Sequence, residues 1–94
     1  MTIAPLCTGG VDPVAVADRR ADRAQARLFL GLLEREFEQV SAQISLAERC
    51  AADDHRRGFV VSAQRFEDDA RTLWLTLGEL HRMIVALRAH QVRP

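Results

Sequence analysis

The sequence predicts an all-α protein, an antiparallel hairpin of two long helices packed like a coiled coil. Three observations carry this expectation. Ala, Leu, Arg, Glu and Gln, all strong helix formers, dominate an interior with a single polar, glycine-terminated break. Apolar residues recur on both sides of that break with spacings that alternate between three and four. Aromatic residues are only 5% of the chain, Tyr is absent, and there are 5 Gly and 3 Pro, too few for the turns and packing of a small β-barrel or sandwich. With 94 residues the chain has room for one small domain, and 48% hydrophobic with 28% charged residues is a globular composition.

Residues 1–11 contain Pro5, Gly9 and Gly10 without periodicity and are expected to form a flexible arm. Asp12-Pro13 is the clearest helix start, because Asp caps well and Pro suits the first helical position. The first helix is expected over residues 13–54. Its seam is Leu30, Leu33, Phe37, Val40, Ile44, Ala47 and Ala51. Upstream, Val14, Ala17, Ala21, Ala24 and Leu28 follow the same alternation in another phase. The change of phase resembles a stutter with Gly31 inside it, so the helix can kink there.

The polar cluster Asp53-Asp54-His55-Arg56-Arg57-Gly58 predicts a turn over residues 53–58. A second helix is expected over 59–91, with fraying at 92–94. Its seam runs Phe59, Ala63, Phe66, Ala70, Leu73, Leu77, Leu80, Ile84 and Leu87. A short turn makes the helices antiparallel, and a turn centred near His55 makes facing position numbers add to about 110. Ala51 would then face Phe59, Ile44 Phe66, Phe37 Leu73 and Leu33 Leu77.

Two seams do not hold all the apolar side chains. Leu28, Phe29, Leu32, Leu46, Val60, Val61, Trp74, Leu75, Met83 and Val85 fall off them. Each large apolar side chain left wet forgoes about 1.5–3 kcal/mol of burial. A contiguous surplus of this kind marks an interface, so the hairpin is expected to associate, most simply as a dimer forming a four-helix bundle. The expected interface residues are Phe29, Leu32, Trp74, Leu75, His81, Met83 and Val85.

The net charge is zero, and all 13 basic residues are Arg, as codon bias in a GC-rich bacterial genome produces. Arginines gather toward the terminal end, where Arg19, Arg20, Arg23, Arg27 and Arg88 are candidate contacts for an anion or nucleic acid. No aromatic residues interleave them to make a stacking platform.

For chemistry the sequence offers little. No CxxC, HxxxH or ExxH spacing occurs, and His81 and His90 project to opposite sides of a helix. Cys7 and Cys50 are too few for a disulfide framework, which suggests a reducing, cytoplasmic setting. No apolar run reaches the length of a membrane span. No glycine-rich phosphate loop or nucleophile elbow is present. The polar residues nearest the stutter, Arg27, Glu34, Arg35 and His81, mark the one candidate pocket. The leading expectation is therefore a non-enzymatic interaction module, an adaptor, chaperone or regulator, with no cofactor or metal. Its partner would be its own copy or another helical protein. A nucleic-acid-binding regulator is the second reading, and a small helical enzyme or ligand sensor with an inter-subunit pocket is the third.

Overall fold

The computed structural model describes residues 12–92; the arm expected over 1–11, Cys7, and the fraying expected at 93–94 lie outside the described residues. Two helices, α1 (Pro13–Arg56) and α2 (Val60–Val92), pack against each other, and no strand occurs among the described residues. At 1.5 Å per residue, α1 is about 66 Å long and α2 about 50 Å.

α1 begins as its sequence requires. Asp12 accepts a hydrogen bond from the Val14 amide at 3.1 Å, and Pro13 occupies the first turn. The helix then runs through Gly31 without a break, so the change of apolar phase does not interrupt it. It also outlasts the expected stop at residue 54. The amide of Arg57 donates to the Asp53 carbonyl and that of Gly58 to the His55 carbonyl, which completes a last helical turn. Gly58, at φ 82°, then reverses the chain in a conformation that costs any residue with a Cβ. The turn is therefore Arg57–Phe59, shorter and later than the sequence suggested.

This small shift changes the pairing of the helices. Across the seam, the side chains in contact are Asp54 with Ser62, His55 with Glu67, Glu48 with Trp74, Phe37 with His81 and Glu34 with Arg88. These contacts slide α2 by one heptad from the pairing expected for a turn at His55. Leu33 consequently lies level with Ile84 rather than Leu77. Phe59, expected to pair with Ala51, sits in the turn and is 57% exposed. The later turn sets this register, and the charges accord with it. The expected register would have set Glu48 beside Glu67, whereas the observed one sets Glu67 beside His55 and Glu34 beside Arg88.

The core is a single layer. Leu33, Val40, Ile44, Leu80 and Ile84 form its buried cluster, and Leu30, Phe37, Leu73, Leu77 and Leu87 pack against it half-buried. Toward the turn the buried seam narrows to Ala47, Ala51, Ala63 and Ala70, so the helices meet there through small side chains. At the other end, α1 continues past α2. In the observed register α2 stops level with about Ala26, leaving roughly 12 residues, or about 18 Å, of α1 without a partner helix among the described residues.

Candidate protein interface

A two-helix seam has two flanks, formed by the heptad positions beside it. In this hairpin the flanks differ. One is polar and is tied across the helices. On it the Trp74 indole Nε1 donates to Glu48 Oε2 at 3.2 Å, Arg88 pairs with Glu34, and His55 pairs with Glu67. His81 also lies here, with its ring centroid 6.4 Å from that of Phe37. The other flank is more apolar; the cross-helix hydrogen bond on it among the described residues is that of the Ser62 hydroxyl to Asp54 beside the turn, and no ion pair crosses it. It holds two shallow grooves. One is floored by Leu28, Phe29, Leu32 and Leu87, the other by Leu46, Ala47, Cys50, Phe66 and Leu73. Cys50 is a free thiol, half-buried in the second groove.

The seven expected interface residues are therefore not one surface. Phe29 and Leu32 share the first apolar groove, and the heptad position of Met83 puts it on the same flank. His81 and Trp74 sit on the polar flank, and Leu75 and Val85 continue outward from it on the back of α2. All the large apolar members are substantially open: Phe29 47%, Leu32 57%, Trp74 52%, Leu75 72%, Met83 43% and Val85 49% exposed. Trp74 is engaged within its own chain through Glu48, a partnership that equivalent positions flanking the two seams could have signalled.

The candidate pocket is also rearranged. Glu34 and His81 do line one recess, but with Glu38 and Arg88; Arg27 and Arg35 are not part of it. Arg19, Arg20 and Arg23 stand on the unpartnered start of α1, exposed and interleaved with Asp18 and Asp22. Arg19 bonds back to the Ala15 carbonyl at 3.3 Å, and Arg88 is committed to Glu34. Among the described residues, no three His, Cys, Asp or Glu side chains are grouped to hold a metal ion. Neither described helix is long and apolar enough to cross a membrane.

No protein-family model matches this chain, and neither a curated protein nor a solved structure is significantly similar to it. The functional reading therefore rests on the surfaces themselves.

Proposed function

We propose that this chain is a non-enzymatic interaction module, a helical hairpin completed by association with another helical surface, in the first instance a second copy of itself. The observation that carries this reading is the imbalance between what the hairpin buries and what it leaves wet. Among the described residues its core has five large side chains, Leu33, Val40, Ile44, Leu80 and Ile84, none of them fully buried, while twelve large hydrophobic residues are exposed. A chain this small gains little stability from a single layer, and oligomerisation is a usual remedy. Two hairpins laid together, as in a four-helix bundle, would cover the grooves floored by Leu28, Phe29 and Leu32 and by Leu46, Phe66 and Leu73.

Sedimentation equilibrium of the purified chain tests this. A species of twice the 10.5 kDa chain mass at micromolar concentration is expected. A monomer throughout that range would overturn the reading. The nucleic-acid reading stands second, because Asp18 and Asp22 dilute the arginines of the α1 start and Glu34 already holds Arg88. Its mark would be binding that weakens steeply with salt.

A further inference from the structure

Three features of this hairpin are left unanswered by the register it holds. Phe59 has the spacing of a seam residue, four positions before Ala63, yet it sits in the turn and is 57% exposed. Gln91 continues the same seam four positions after Leu87, and its buried Nε2 has no hydrogen-bond partner among the described residues. α1 runs on past the end of α2 for roughly 12 residues. One displacement would answer all three.

We propose that α2 slides by one heptad, about 10 Å, toward the start of α1, into a second register that the chain visits as a minor state. The slide would bring Phe59 opposite Ala51, a large side chain against a small one. It would carry Gln91 to the level of Arg19, where Asp18 and Asp22 offer acceptors for its amide. The overhang of α1 receives the end of α2. Between the ends the seam stays apolar. Ile44 meets Phe66 in place of Leu73, Phe37 meets Leu73 in place of Leu80, and Leu33 meets Leu77 in place of Ile84. The slack comes from the last turn of α1: unwinding Asp53–Arg56 lengthens the Arg57–Phe59 reversal into a loop over 53–58.

The short closure around Gly58 and the charges both hold the observed register in the majority. The slide breaks the pairs of Glu34 with Arg88 and of His55 with Glu67, and the bond of Trp74 to Glu48. It sets Glu67 beside Glu48 and Arg88 beside Arg27. The two ends of the rod are coupled through this equilibrium. Leu87 lies with Leu28, Phe29 and Leu32 in the groove of the observed register, and the slide takes it away to the level of Arg23. Whatever covers that groove therefore holds Phe59 out in water at the far end, and a surface that captures exposed Phe59 favours the groove in return. A monomeric hairpin would slide in the same way, so sliding and self-association are tested separately.

The test is intrachain disulfide closure in a glutathione buffer, on dilute full-length chains in a Cys7→Ser/Cys50→Ser background. Ala47→Cys with Ala70→Cys reports the observed register, and Ala47→Cys with Ala63→Cys reports the second; all three alanines are buried in the seam. Ala47→Cys with Arg65→Cys fits neither, because Arg65 is exposed and lies off the seam. The second pair should close at least tenfold faster than this control, though more slowly than the first. Adding Glu48→Gln and Arg27→Gln lifts both like-charge contacts and should raise closure of the second pair relative to the first at least threefold. Phe59→Ser removes the side chain that gains cover and should lower that ratio by as much, with helix content by circular dichroism unchanged. If the second pair closes no faster than the control, or if the ratio ignores either change, the hairpin holds a single register and the slide is excluded.

Discussion

The two ends of this hairpin solve the same problem differently. Toward the turn, α1 and α2 cover each other: the buried residues Ala47, Ala51, Ala63 and Ala70 let the backbones approach, and Asp54, His55 and Glu48 reach across to Ser62, Glu67 and Trp74. At the open end, α1 continues alone with Val14 and Leu28 facing water. Both stretches are rich in helix formers, and both are helical. The difference teaches that helix propensity decides where a helix runs, whereas the placement of apolar side chains decides whether its partner lies inside the chain.

The sharpest way to break this contrast is to place a charge in each region. Ile44, 3% exposed, lies in the seam, and Ile44→Asp should cost about 3–5 kcal/mol and abolish the cooperative melt followed by circular dichroism. Leu28→Asp should leave the melt of dilute protein nearly intact and act on the association constant alone. If both changes unfold the chain equally, the two ends are not distinct.

A gentler pair compares backbone and cap. Gly58 holds a positive φ in the reversal that sets the register, and a Cβ there has open space. Gly58→Ala should therefore lose about 1 kcal/mol through backbone strain alone, seen as a lower denaturation midpoint of the whole hairpin. Asp12→Ala removes a cap also worth about 1 kcal/mol, but from a segment that lies beyond the end of α2. Its effect should be local: faster amide exchange over Val14 to Asp18, with an unchanged midpoint. A shift of the global midpoint would mean that the start of α1 is coupled to the core.

The smallest effect belongs to the polar flank. The Glu34 and Arg88 side chains are 41% and 59% exposed, so Glu34→Gln should cost less than about 1 kcal/mol and the loss should vanish at high salt. A larger, salt-insensitive loss would make this pair a determinant of register rather than a tether.

Much of the fold was legible in the residues. The start at Asp12-Pro13, the helical interior, the reversal near Gly58 and the buried residues Leu33, Val40, Ile44, Leu80 and Ile84 all follow from capping, propensity and spacing. The candidate interface was legible only as a list. That Phe29 and Leu32 lie on one side and Trp74, Leu75 and Val85 on another depends on how the two helices are rolled against each other, which a one-helix pattern does not contain. The change of phase at Gly31 was visible too, but a broken helix and an unbroken one with a rotated ridge share the same spacing.

The sequence by itself determined that there are two helices, which stripe of each is buried, and that apolar surface is left over. The tertiary structure alone decided the register. A heptad pattern slid by seven residues falls on itself, so Leu33 can meet Leu77 or Ile84 with equally good apolar matching. What separates the two is the closure of Arg57–Phe59 around Gly58, and the pairings of Glu34 with Arg88 and of His55 with Glu67 accord with it. The closure is local, but the pairings join residues on different helices and exist only once the chain has turned back on itself.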